Sequence, residues 1–132
     1  MPHLQLELNR SLADGEKIYF AEQVRKLFSE VMDTGTDHIS ISIREFGIHN
    51  LSIGRVKEPE KGVAVVNADI REGRTMAQRR TLTMNFMDLL HNAFHIPKEH
   101  MYVTLTEHMG EDFHLLEKYL ASWQEGEDPL AG

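Results

Sequence analysis

Residues 63–75 read Val63-Ala64-Val65-Val66-Asn67-Ala68-Asp69-Ile70-Arg71-Glu72-Gly73-Arg74-Thr75, and three structural signals follow one another there. The apolar, β-branched run from Val63 to Ile70 is a strand. Arg71-Glu72-Gly73-Arg74 is a turn. Thr75 is a helix N-cap, its hydroxyl suited to accept from the first backbone N–H groups of a helix. That helix runs to about Phe94, where Ile96-Pro97 ends it, and Met101 to Thr106 is the next strand. The stretch therefore opens a β-α-β unit.

The same plan stands 62 positions earlier. Shifting the chain without gaps places Leu4, Leu6 and Leu8 on Val66, Ala68 and Ile70. Val24, Leu27, Phe28, Val31 and Met32 fall on Phe86, Leu89, Leu90, Ala93 and Phe94, and Ile41, Ile43 and Glu45 on Val103, Leu105 and Glu107. A constant offset across three successive elements marks an internal repeat. Residues 3–9 alternate apolar and polar as a half-buried strand does. Asp14 to Met32 carries a helical stripe at Ile18, Ala21, Val24, Leu27, Phe28, Val31 and Met32, and Asp33-Thr34-Gly35-Thr36 stops it with Gly35 as the C-terminal cap. Residues 38–46 alternate again, with Ile39, Ile41 and Ile43 on one face.

The reading is a single domain over 1–132, made of pseudo-repeats 2–46 and 63–107, a connector at 47–62 broken by Pro59, and a C-terminal extension at 108–132 with a mobile acidic tail. Strands joined across a helix lie parallel with a right-handed crossover. The fold class is α+β: two tandem β-α-β units forming a four-stranded sheet with two helices on one face. The other face carries His3, Gln5, Ser40, Ser42, Tyr102, Thr104 and Thr106, uncharged enough to be covered by another subunit.

Composition narrows the function classes. With 132 residues, 41% of them hydrophobic and 27% charged, the chain is an ordinary globular domain. A net charge of −7 argues against nucleic acid, whose phosphates need a basic face, and the local cluster of Arg71, Arg74, Arg79 and Arg80 suits a small anion better than a polymer. No run approaches the ~20 apolar residues of a membrane span, and Met1-Pro2-His3-Leu4 lacks the features of a signal peptide, so the expected address is cytoplasmic. Without cysteine there is no disulfide, thiol nucleophile or thiolate metal site. His91 and His95 stand four apart near a helix end without the His-Glu-x-x-His pattern, and His100, His108 and His114 lack a ligand rhythm. The expectation is no metal and no cofactor. Glu7, Glu45 and Glu107 are strand-end carboxylates, a position where glutamate is usually solvated.

The candidate chemistry starts at Pro2. With Met1 removed, as an initiator methionine normally is before a small residue, the chain begins with a secondary amine. An α-amino group is the backbone group nearest neutrality, and desolvation or nearby cations lower its proton affinity further, which suits a general base. Only the first repeat can carry such an amine, since Pro2 maps to Ala64. Conversely, the second repeat has Arg71-Glu72-Gly73-Arg74 where the first has Asn9-Arg10-Ser11. Two guanidiniums beside a helix N-terminus are suited to grip a carboxylate.

At these residues the chain resembles the tautomerase superfamily, with its N-terminal proline and β-α-β units. Ile70-Arg71-Glu72-Gly73-Arg74-Thr75 through Gln78 is similar to the strand-end Glu-Gly-Arg and helix start of 4-oxalocrotonate tautomerase. Ile43-Arg44-Glu45-Phe46 and Leu51-Ser52-Ile53-Gly54 resemble its second strand and terminal hairpin. The tandem length is that of the fused members, the cis-3-chloroacrylic acid dehalogenase and malonate semialdehyde decarboxylase groups, and the likeness covers roughly residues 2–107. It implies a homotrimer, Pro2 as general base or acid, and Arg71 and Arg74 on the carboxylate of a small anionic substrate.

Departures from the family patterns select among reactions. The dehalogenase group's helix histidine falls at Leu27, Phe28 and Ser29, its tyrosine at Thr104 and its glutamate at Leu115, so hydrolytic dehalogenation is not expected. Asp37 matches the decarboxylase group's aspartate and Asp112-Phe113 resembles its Asp-Trp, but only Arg74 matches its arginine pair, with Glu72 at the other position. The second-strand arginine of 4-oxalocrotonate tautomerase corresponds to Ser40 and Tyr102, leaving that role missing or to Arg44 or Arg10. Asp37, Tyr102 and Phe113 are the further substrate-binding candidates, with Phe113 or Trp123 as pocket walls. The expected function is enol–keto interconversion of a small 2-oxo acid or dienol carboxylate with Pro2 as base. The alternatives are decarboxylation of a small 3-oxo acid, with Pro2 cationic and Asp37 assisting, or a non-catalytic interaction role on the same scaffold.

Overall fold

The computed structural model describes residues 2–115 and 118–119. Strand β1 (His3–Leu8), helix α1 (Asp14–Met32) and strand β2 (Ser40–Glu45) form the first unit; strand β3 (Ala64–Arg71), helix α2 (Met76–Phe94) and strand β4 (Met101–His108) form the second. The main sheet runs β2-β1-β3-β4, parallel within each unit and antiparallel between β1 and β3. A short pair, β5 (His114–Leu115) and β6 (Lys118–Tyr119), follows.

The 62-residue offset holds in the packing. Four residues spaced four apart bury the inner face of α1: Phe20, Val24, Phe28 and Met32. Their counterparts Leu82, Phe86, Leu90 and Phe94 bury that of α2. Such i, i+4 ridges cover the Leu4, Leu6, Leu8 face of β1 and the Ala64, Val66, Ala68, Ile70 face of β3 in one core. Gln5 pairs with Asn67, its own counterpart, so a local two-fold axis passes between the central strands. The apolar stripe drawn through Ile18 is corrected here: Ile18 is 63% exposed and Phe20 takes the core position, because the buried line follows i+4 steps and not the alternation with Ala21.

Both helices end on a residue in the left-handed region, Asp33 (φ 50°) and His95 (φ 58°). Asp33 therefore performs the capping expected of Gly35; the Thr34 N–H reaches back to the Ser29 carbonyl at 3.2 Å to close the end. At the start of α2, Thr75 Oγ1 accepts from the Gln78 N–H at 3.0 Å while Gln78 Oε1 accepts from the Thr75 N–H at 3.0 Å. Glycine is required at residue 62. At φ 105° a Cβ there would meet Arg10 Nη2 at 2.7 Å and Ile96 Cγ1 at 2.8 Å.

Glu45 is held at the end of β2 by the Leu12 N–H at 2.6 Å and by Lys17 Nζ at 2.5 Å. The Lys17 hydrogen bond holds the Glu45 carboxyl below the usual carboxylate range and, reciprocally, raises the Lys17 ammonium above its own. On the sheet face away from the helices, Asn67 Nδ2 donates to Thr104 and Thr106, His3 meets Ser42 at 2.5 Å, and Asp69 is shared by Gln5 and His108. Among the described residues no helix is long and apolar enough to cross a membrane, and no group of three His, Cys, Asp or Glu stands together to hold a metal ion.

Candidate active site

Strand register assembles the site. The antiparallel β1–β3 ladder sets His3 opposite Asp69, so Pro2 stands next to Ile70 and Arg71. The parallel β1–β2 ladder sets His3 opposite Ser40, and the Ser40 N–H donates to the Pro2 carbonyl at 3.1 Å. The α1–β2 loop thereby arrives at the same point. Pro2, Phe28, Thr34, His38, Ile70, Arg71 and Arg74 line one pocket enclosing about 20 Å³, room for a single water. Pro2, Phe28, Thr34 and Ile70 are buried, while His38, Arg71 and Arg74 are partly exposed.

The turn after β3 aims the arginines. Gly73 takes φ 108°, and the Glu72 N–H donates to the His108 carbonyl at 2.8 Å, fixing the turn to the end of β4. Arg71 closes the strand and Arg74 immediately precedes the N-cap of α2, so the helix's positive end reinforces both cations. Arg71 Nη1 and Arg74 Nε are shielded from solvent. The arrangement brings a buried proline, two guanidiniums and an imidazole around a space closed by apolar side chains. Chemically it suits an anionic ligand whose charge is met by the arginines and whose protons exchange with a base.

Neither a family model nor a curated protein matches the sequence. Solved structures do match it. N1, a member of the cis-3-chloroacrylic acid dehalogenase (cis-CaaD) family, superposes with a TM-score of 0.80 at 19% identity, over 97% of this chain and 85% of that one. F6 fused 4-OT, an asymmetric trimer, gives 0.77 at 18% identity, over 89% and 94%. A macrophage migration inhibitory factor-like protein from Entamoeba histolytica gives 0.72 at 16% identity, over 90% and 98%. The fold is that of the tautomerase superfamily.

On this fold Pro2, Arg71 and Arg74, predicted from the sequence, line one pocket. The other candidates stand outside its lining. Asp37 is exposed in the α1–β2 loop. Tyr102 is 57% exposed on β4, on the sheet face away from the helices. Phe113 is half-buried with its ring edge-on to His108 at 5.5 Å between centroids. Trp123 lies outside the described residues. Arg10 is committed at the other end of the sheet, donating to the Phe94 carbonyl at 2.8 Å and the Lys61 carbonyl at 3.3 Å, and Arg44 stands 4.0 Å from Glu7.

The sequence reading missed Thr34, His38, Phe28 and Ile70 as pocket residues. A signal existed in the repeat. The counterparts of the seven lining residues are Ala64, Leu90, Ile96, His100, Leu8, Asn9 and Leu12, and all of them are buried. Leu12 replaces Arg74, Asn9 replaces Arg71 and spends its side chain on the Ile48 and Pro59 carbonyls and the Val63 N–H, and Ile96 replaces Thr34. The second half of the two-fold is plugged, and the positions where polar residues face apolar counterparts mark the open one.

Proposed function

We propose that the chain is a cofactor-independent tautomerase that interconverts the enol and keto forms of a small 2-oxo acid or dienol carboxylate. Pro2 is the general base once Met1 is removed, and Arg71 and Arg74 hold the substrate carboxylate. The observation that carries this reading is the convergence of Pro2, Arg71 and Arg74 on one pocket. Burial and two neighbouring cations both disfavour an ammonium, so the physics of the pocket favours the neutral amine a base requires. The base takes the proton of the enol hydroxyl, and the guanidiniums stabilise the enolate charge that develops, a preorganised electrostatic contribution. The reading includes a cytoplasmic homotrimer in which the polar sheet face away from the helices is covered by neighbouring copies, as the trimeric state of F6 fused 4-OT supports.

Decarboxylation of a 3-oxo acid draws less support, because Asp37, its needed partner, is exposed and outside the pocket lining. The test is intact mass together with ultraviolet-monitored ketonisation of phenylenolpyruvate and 2-hydroxymuconate by the wild type and Pro2→Ala. A mass lacking methionine and turnover that falls at least ~10²-fold in Pro2→Ala are expected. No turnover by correctly processed protein refutes the reading.

A further inference from the structure

We infer that His38 is a second catalytic proton carrier of this site, delivering a proton to substrate carbon while Pro2 removes the one on oxygen. The inference rests on the tautomerase reading above and assigns within it a step that a single base would otherwise perform twice.

Three observations carry it. His38 lines the same pocket as Pro2, Arg71 and Arg74 but is partly exposed, so solvent screens an imidazolium there from the two arginines more than it screens the buried Pro2 amine. Its Nε2 stands 3.2 Å from Thr34 Oγ1, and Thr34 is itself immobilised: buried to 8% exposure, its N–H on the Ser29 carbonyl and its carbonyl accepting the Ser29 hydroxyl. The ring is therefore held in place at the pocket wall.

The partner's chemistry is the second observation. A hydroxyl both donates and accepts, so Thr34 accommodates either tautomer of His38 and also the imidazolium. Two other histidines are held in one neutral tautomer. His100 Nδ1 meets the Gly62 carbonyl at 2.9 Å and His91 Nδ1 meets the Ile96 carbonyl at 2.9 Å. A carbonyl only accepts, which fixes the proton on Nδ1 in both.

The third is the comparison across the two-fold. His100 is the counterpart of His38, buried to 8% exposure, and the counterpart of Thr34 is Ile96, which has no hydroxyl. A switchable threonine–histidine pair thus occurs only in the half that also carries Pro2.

The reaction balances without a further reactant. The neutral Pro2 nitrogen takes the enol O–H proton, and that O–H pair becomes the C=O π bond. The C=C pair takes the N–H proton of the His38 imidazolium, forming the new C–H bond. The ammonium of Pro2 then returns its proton to the neutral imidazole, directly or through one water, restoring both groups.

The experiment compares wild type, His38→Gln, His38→Ala and Thr34→Val in ketonisation of phenylenolpyruvate, with thermal melts on each protein. A fall of about 10²-fold in kcat with KM changed by less than about threefold is expected for both His38 variants at unchanged melting temperature. Added imidazole should restore at least about tenfold of the loss in His38→Ala, whose side-chain space it can occupy, and leave His38→Gln unaffected. Thr34→Val, which removes only the hydroxyl, should lower kcat by a smaller factor and leave KM in place. Wild-type kcat in His38→Gln, or a loss in His38→Ala that imidazole does not touch, overturns the role of His38 while leaving Pro2 as base. Absence of turnover in the wild type refutes the tautomerase reading itself, and this role with it.

Discussion

Arg71 and Arg74 are separated by two residues, yet each is placed by a different constraint. Arg71 is the last residue of β3 and inherits its position from the sheet; Arg74 depends on the left-handed Gly73 and on the Thr75 cap behind it. A planar guanidinium offers two parallel donors to a carboxylate and an ammonium does not. Arg71→Lys and Arg74→Lys should therefore each raise KM and lower kcat/KM by about 10- to 100-fold, with melting temperatures little changed. Steady-state kinetics on a carboxylate substrate and its methyl ester checks this: the ester, which keeps only the enolate contact, should lose less than the acid does. These arginines and Pro2 were legible because they break the repeat, a proline opposite alanine and arginines opposite asparagine and leucine. His38 was not, since histidine faces histidine in the overlay, and only the hydroxyl of Thr34 against Ile96 separates the two environments. Asp37 is a candidate through its match to the decarboxylase group's aspartate, but a match at a loop position does not report which way a side chain faces, and it is exposed.

Both helices and all four main strands follow from periodicity, and the helix bounds Asp14–Met32 and Met76–Phe94 are those expected. Errors came where two patterns compete. Ile18 belongs to a plausible stripe, but the core line through Phe20 is the one the sheet can receive. The sequence suggests Gly35 as the helix stop, whereas Asp33, a short polar residue that tolerates the left-handed region, takes that place two residues earlier. The junction of α1 with β2 also carries a pH-dependent contribution. Glu45 titrates lower in the folded chain than unfolded, so its share of stability is present above the unfolded carboxylate range and lost as pH falls through the folded value. Lys17 titrates higher, so its share is present below the unfolded lysine range and lost as pH rises through the folded value. Glu45→Gln should accordingly lower the melting temperature at neutral pH and converge on the wild type in acid. Melts from about pH 3 to 8 measure the difference, and a constant gap would contradict the assignment.

At the scale of the whole molecule, a two-fold internal repeat has been put to asymmetric use. One pocket holds the proline, the arginines and the threonine–histidine pair, while at its counterpart Leu12, Ile96, Leu8 and Leu90 are buried in the core. The repeat made the architecture readable, because every element appears twice with the same register. Subunit association is written less plainly, since a sheet face of mostly small polar residues invites a cover without saying how many copies supply it. The homotrimer reading predicts a sedimentation mass of three chains, and Tyr102→Glu, which places a charge on that face, should shift the distribution toward monomer. A monomeric wild type at micromolar concentration would contradict it.

The central claim is that the Pro2 nitrogen acts as a neutral amine in the pocket shared with Arg71 and Arg74. Its most direct test is a titration of that nitrogen by ¹⁵N NMR on proline-labelled protein, overlaid on kcat/KM for phenylenolpyruvate across the same pH range. Activity rising in step with the neutral fraction of the Pro2 amine is the predicted result. A nitrogen that remains cationic where activity is full, or one that behaves as an amide and never titrates, would contradict it.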